Sequence, residues 1–101
     1  MSLNPKVSAY IGFSVKSGKI VYGYESVIAA KKKVRLILRD ASLSEHSAKK
    51  VERAASEANI KIITVDNLAE YFGGKEIKCV GLVEEHLASA TEKELLGGGS
   101  Y

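Results

Sequence analysis

Ser17-Gly18-Lys19-Ile20-Val21-Tyr22-Gly23-Tyr24-Glu25-Ser26-Val27-Ile28-Ala29-Ala30-Lys31-Lys32-Lys33 joins a Gly-Lys turn, a short β-branched and aromatic run, a second glycine, a helix start and a lysine triplet. The order reads as a strand, Lys19 to Tyr22, feeding a helix from Tyr24 to about Lys32 that buries Val27 and Ile28. A glycine at such a junction leaves backbone N–H groups uncovered, and a helix start carries partial positive charge. The Gly23 junction is therefore suited to receive a phosphate backbone. Glu25 and Ser26 stand in the first turn without a capping-box partner in the sequence, which directs them outward. A carboxylate accepts from base amino groups and a serine reads either kind of base edge. A mixed polar helix start beside lysines thus suits a nucleic-acid contact better than a pure phosphate site.

Upstream of this stretch, Asn4-Pro5 is a cap followed by a proline in the first turn, and Val7, Tyr10, Ile11, Ser14 and Val15 recur at helical spacing. A helix from Pro5 to Lys16 is expected, stopped by Ser17-Gly18 with Gly18 free to turn left-handed. Downstream, Val34-Arg35-Leu36-Ile37-Leu38 is the strongest strand in the chain, apolar enough to lie at a sheet centre with cover on both faces. Arg39-Asp40-Ala41-Ser42 reads as a polar loop. Ser44 then caps a long helix to about Asn59, whose apolar side is Ala48, Val51, Ala54, Ala55 and Ala58. Ile60 to Val65 is a third strand, and Asp66 caps a short helix bearing Leu68, Tyr71 and Phe72 before Gly73-Gly74. Glu76 to Val83 is a fourth strand, and a last helix begins at Glu84 or Glu85 and ends near Leu95. Such alternation implies an α/β domain with helices on both faces of a mixed four-stranded sheet. One domain over residues 1–96 and a flexible Gly-rich tail over 97–101 are expected.

A chain of 101 residues is long enough for one core, and no apolar run approaches the ~20 residues of a spanning helix, so no membrane partner is expected. The single cysteine, Cys79, cannot form an internal disulfide, and no leader pattern opens the chain; a reducing cytoplasm is the expected compartment. Cys79 itself reads as a buried small hydrophobe of the last strand. The net charge of +3 conceals an asymmetry. Residues 1–39 carry eight Lys/Arg against Glu25 alone, a net of +7, and the rest carry seven basic and eleven acidic side chains, a net of −4. That polarity points to a polyanion, since clustered lysines gain free energy by releasing counterions from phosphates. Lys16, Lys19, Lys31, Lys32 and Lys33 are the candidate cations.

Other chemistry finds little footing. The run Gly12 to Lys19 is one residue too long for a phosphate-binding loop and has Ile20 where the hydroxyl belongs. His46 and His86 have no second His or Cys at ligand spacing. Glu84 and Glu85, at a helix start, are explained by the helix dipole. No cofactor, metal or catalytic constellation is expected.

Lys16-Ser17-Gly18-Lys19-Ile20-Val21-Tyr22-Gly23-Tyr24, the following helix, Val34 to Leu38, Asp40-Ala41, and Asp66-Asn67-Leu68 with Gly73 together resemble the kink-turn RNA-binding ribosomal proteins, the L-seven-Ae and L-thirty-e superfamily. The likeness spans roughly residues 5–90 and is greatest to the small bacterial members. It implies a three-layer α-β-α sandwich and a non-enzymatic, ribosome-associated protein that binds bent RNA, expected to act as a monomer. It also implies that RNA is gripped by Gly23, Tyr24, Glu25 and Ser26 at the second helix start and by Thr64, Val65, Asp66 and Asn67 before the fourth helix, with Asp40 to Ser42 alongside. The family carries Asn-Glu and a later Lys where this chain has Glu25-Ser26 and Ala29. Those departures favour moderate over tight recognition, and leave as the alternative a protein-interaction module that has kept the fold and lost RNA.

Overall fold

The computed structural model describes residues 3–97; residues 98–101, most of the expected tail, lie outside them, and Gly97 closes the last helix. The order of elements is α1 (Pro5–Lys16), β1 (Ile20–Tyr22), α2 (Tyr24–Ala29), β2 (Leu36–Asp40), α3 (Glu45–Ala58), β3 (Lys61–Val65), a 3₁₀ helix (Leu68–Phe72), β4 (Cys79–Leu82) and α4 (Glu85–Gly97). The sheet order is β1-β4-β2-β3, with β2 parallel to β3 and β4 antiparallel to both its neighbours. The expected mixed four-stranded sheet with helices on both faces is therefore present, as a three-layer α-β-α sandwich.

Alternation along the strands builds two cores. Leu36 and Leu38 of β2 join Val80 and Leu82 of β4, Val7 and Ile11 of α1, Ala88 of α4 and Leu68 on one face. Ile37 points the other way, onto Val27 of α2 and Val51 and Ala55 of α3, with Val34 and Cys79 beside it. Leu36, Ile37 and Leu38 are each buried to 1% exposure or less, worth about 1.5–3 kcal/mol apiece on transfer from water. The small residues of α3 let it lie close to the sheet, as their spacing predicts.

Gly81 shows how tight that second face is. It faces Val21 and Ile37 across the ladders, and a Cβ built on it would stand 2.9 Å from Val34 Cγ2 and 3.0 Å from Val21 Cγ2. The sheet is pinched there to admit Val34.

Four boundaries differ from the sequence reading. α2 ends at Ala29 rather than near Lys32: Ala30 leaves helical angles, Lys31 N–H reaches back only to Ile28 at 3.2 Å, and a separate turn, in which Lys33 and Val34 N–H both return to the Ala30 carbonyl at 2.8 and 3.2 Å, brings buried Val34 under the sheet. A longer helix would have carried Val34 away from Gly81. β2 is displaced by two residues toward Asp40, since β3 offers Thr64 and Val65 as partners for Arg39 and Asp40; these two are ladder residues, not loop. The segment after Asp66 is a 3₁₀ helix whose first amide, Leu68 N–H, is capped by Asp40 Oδ1 at 2.8 Å and not by Asp66. β4 is confined to Cys79–Leu82, shorter than Glu76 to Val83, because only four of its residues have partners in both neighbouring strands or their continuations. At the helix ends the sequence cues hold. Asn4 Oδ1 accepts from Lys6 and Val7 N–H, Ser44 Oγ accepts from Ser47 N–H, and Asn59 ends α3 at a φ of 58°.

No helix among the described residues is long and apolar enough to cross a membrane.

Candidate nucleic-acid interface

Because β4 runs against β1 and β2, and β2 runs with β3, the strands β1, β2 and β3 all finish at the same end of the sheet. That end, the rim, is where β1 enters α2, β2 enters α3 and β3 enters the 3₁₀ helix. Its opposite, the foot, is where the three strands begin. The ladders set Tyr22, Val80, Leu38 and Ile63 in one row, with Gly23, Cys79, Arg39 and Thr64 in the next. Gly23 and Thr64 are thus three strand spacings apart, roughly 14 Å.

This geometry sorts the candidate residues into two groups. Gly23, Tyr24, Glu25, Ser26, Asp40, Thr64, Val65, Asp66 and Asn67 gather at the rim. Lys16 and Lys19 precede β1, and Lys31, Lys32 and Lys33 fill the turn between α2 and β2; all five belong to the foot. Lys19 is four residues of extended chain from Gly23, roughly 13 Å, so the lysines and the glycine junction do not form one patch.

Gly23 is the N-cap of α2 with φ 87° and ψ 145°, a conformation that side chains rarely adopt. Its N–H donates to the Cys79 carbonyl at 2.8 Å, which anchors it to β4, and its carbonyl receives Val27 N–H at 3.0 Å. No side chain caps this helix start, and no atom lies within 4 Å of the place a Gly23 Cβ would take. The first-turn amides are left for solvent or a ligand. Glu25 and Ser26 are exposed beside them, while Tyr24 packs on the α2–α3 core and brings its hydroxyl to 3.5 Å from Glu25 Oε2.

The middle of the rim is tied together by Asp40. Its Oδ2 accepts from the Ser42 amide at 2.9 Å and the Ser42 hydroxyl at 2.5 Å, and its Oδ1 accepts from Leu68 N–H. Burial pushes the Asp40 carboxyl up, but the two Ser42 hydrogen bonds, the Leu68 amide and the Lys78 charge together hold it below the ordinary carboxylate value. With both oxygens engaged and 7% exposure, Asp40 positions the two loops and is not offered to a ligand. Val65 is likewise internal, packed on the core with its carbonyl bonded to Ala41 N–H at 2.8 Å. Thr64, Asp66 and Asn67 are exposed.

Two rim cations carry no signature in the sequence pattern, Arg39 and Lys78. Lys78 Nζ donates to Ser42 Oγ at 2.6 Å, and Arg39 lies 4.0 Å from Glu52 on α3. Only the ladder, which places Lys78 beside Asp40 through the Asp40 N–H to Lys78 carbonyl bond of 2.8 Å, brings them to this end. The rim is therefore electrostatically mixed, with Arg39 and Lys78 beside Glu25 and Asp66.

Between α1 and the 3₁₀ helix, against the last residue of β1, lies a hollow of about 330 Å³ lined by Ile11, Val15, Tyr22, Tyr71, Phe72 and Ile77, with Lys75 as its one charged group. Tyr22 and Phe72 meet edge to face there, their ring centres 5.8 Å apart. Phe13, Val15 and Tyr22 remain 57%, 43% and 43% exposed, so an apolar surface on the α1 side of the sheet adjoins the rim, Tyr22 directly preceding Gly23.

Cys79, between rim and core, is 1% exposed, and burial raises its thiol pKa to about 11 against the opposing pull of Arg39. Among the described residues no group of three or more His, Cys, Asp or Glu side chains is arranged to hold a metal ion.

No family model matches the chain, and no curated protein matches it. Among solved structures it is similar to a protein of unknown function from Bacillus halodurans, with a TM-score of 0.77 over 86% of this chain and 92% of that one, at 20% identity; that likeness is one of fold.

Proposed function

We propose that this chain is a non-enzymatic, cytoplasmic, ribosome-associated RNA-binding protein that receives a sharply bent, kink-turn-like RNA on the rim. The observation that supports this reading is the Gly23 junction. An uncapped helix start with no Cβ lets a sugar-phosphate backbone approach the first-turn amides, and exposed Glu25 and Ser26 stand where base edges would lie. Thr64, Asp66 and Asn67 form the other bank roughly 14 Å away, a gap that a bent backbone with an extruded base can bridge and that a regular RNA duplex, with its closed deep groove, fits less well. The sheet sets the separation of the two banks, with Gly23 tied to β4 through Cys79, while Asp40 clips the loop after β2 to the start of the 3₁₀ helix.

A gel-shift series at low salt with a kink-turn RNA and a straight duplex of equal length tests the reading. Preference for the bent RNA is expected, with moderate affinity. Equal affinity for the two, or none for either, would contradict it. The exposed apolar hollow around Tyr22 and Phe72 favours a second reading, a protein-interaction module on the same fold, which would then take its place.

A further inference from the structure

Rim and foot lie at opposite ends of the sheet, and a third set of cations runs between them. α2 and α3 both start at the rim and finish toward the foot, side by side on the face that holds Val27, Val51 and Ala55. Along α3, His46, Lys50 and Arg53 recur at intervals of four and three residues, which sets them on one exposed stripe. The acids of α3 have other cations as their nearest partners. Glu45 lies 3.9 Å from Lys49, Glu52 lies 4.0 Å from Arg39, and Glu57 takes Lys31 at 2.5 Å. Lys50 forms no ion pair among the described residues, and Arg53 has no carboxylate within 4.0 Å, although its charge helps hold the Glu57 carboxyl below its ordinary value. Two shallow hollows adjoin at these side chains, one of about 350 Å³ shared with His46 and Lys49, the other of about 300 Å³ shared with Ile28 and Lys31 of the α2 side and with Glu57, the partner of Lys31. From His46 to the level of Glu57 and its partner Lys31 the helix rises roughly 16 Å.

We infer that this α2–α3 face is a second RNA contact, a track on which the phosphodiester backbone of a stem leaving the rim passes Lys50 and Arg53 on its way to Lys32 and Lys33. The inference rests on the RNA-binding reading and adds to it the direction in which the RNA leaves. A cation-rich face with no aromatic ring between its charges attracts phosphates without selecting bases, so the track supplies affinity and the rim supplies selectivity. It also gives the foot lysines a role that the Gly23 junction, too far from them, does not.

The test is a fluorescence-anisotropy titration over a range of salt concentrations with two RNAs that share the bend, one with stems trimmed close to it and one with a stem longer by a full helical turn. Wild type is compared with K50Q/R53Q and with K6Q/K93Q, which removes two exposed charges from the opposite layer. All four substituted positions are exposed, and thermal melts verify folding. K50Q/R53Q is expected to weaken the long-stemmed RNA by about tenfold and to flatten its log–log salt slope by roughly 1.4–1.8, the value for two lost phosphate contacts, while leaving the trimmed RNA within about twofold. K6Q/K93Q is expected to leave both unchanged. Equal losses in the two double variants would show an effect of overall charge and overturn the track, as would an unchanged long-stemmed affinity in K50Q/R53Q. Loss of binding to a polyglutamate peptide with RNA binding intact would also overturn it and assign the face to an acidic protein. If wild type shows no preference for bent over straight RNA but K50Q/R53Q still loses affinity selectively for the longer stem, the rim reading fails and the track stands.

Discussion

Asp40, the last residue of β2, caps the amide of Leu68 at 2.8 Å from 28 residues away, so one buried carboxylate joins the loop after β2 to the loop after β3. The same carboxylate holds Ser42 through its other oxygen. Replacing it by Asn leaves one acceptor for donors on two sides, at a cost of about 1–3 kcal/mol at neutral pH. The sign of the pH dependence follows from its lowered pKa. Such a group stabilises the fold above its unfolded value of about 3.9, and that contribution disappears as pH falls through the folded value. Urea denaturation should therefore show a gap between wild type and Asp40→Asn at pH 7 that narrows below about pH 4. No gap at pH 7 would mean that the clip does not stabilise the rim.

Gly23→Ala tests the junction. Space for the methyl is open, so the penalty is conformational alone, about 1–3 kcal/mol for a side chain at φ 87° and ψ 145°. Thermal denaturation should register this loss. A fully stable alanine variant would indicate that α2 starts in another geometry.

At Gly81 the penalty is steric instead. Gly81→Ala would force Val34 and Val21 apart and should cost about 1–3 kcal/mol. Adding Val34→Ala removes the nearest obstacle, so the double variant should be more stable than the sum of the single changes by an amount on the order of 1 kcal/mol. Strict additivity in chemical denaturation would rule out the contact as the cause.

Cys79 should react slowly. With 1% exposure and a thiol pKa near 11, both access and thiolate fraction are low in the folded state. A disulfide-exchange reagent at pH 8 should label the native protein far more slowly than the urea-unfolded chain; equal rates would contradict the packing.

The layered fold was legible because its signals are local. Leu36-Ile37-Leu38 announces a strand covered on both faces, the small residues of α3 announce a helix lying close to a sheet, and Asn4, Ser44 and Asn59 mark helix ends by their own hydrogen bonds or backbone angle. What depends on partners distant in sequence was not legible. Asp40 reads as a loop residue until β3 is laid beside it, and Asp66 reads as a cap until Asp40 is found in that role. The division of the candidate site is of the same kind. Lys31 to Lys33 follow Gly23 closely in sequence, yet six helical residues carry the chain from rim to foot. The insertion of β4 between β1 and β2, which sets all three strand ends on one rim, has no local signature at all.

The central claim, that the rim is the RNA-binding surface, is tested most directly by following backbone amide NMR signals while a bent RNA is titrated into the protein, with Glu25→Ala in parallel. Shifts are predicted at Gly23 to Ser26, Ala41 to Ser42 and Asp66 to Asn67, and Glu25→Ala should narrow the preference for bent over straight RNA by about 1–3 kcal/mol. Shifts confined to the apolar hollow around Tyr22 and Phe72, or none on the rim at saturating RNA, would contradict the account.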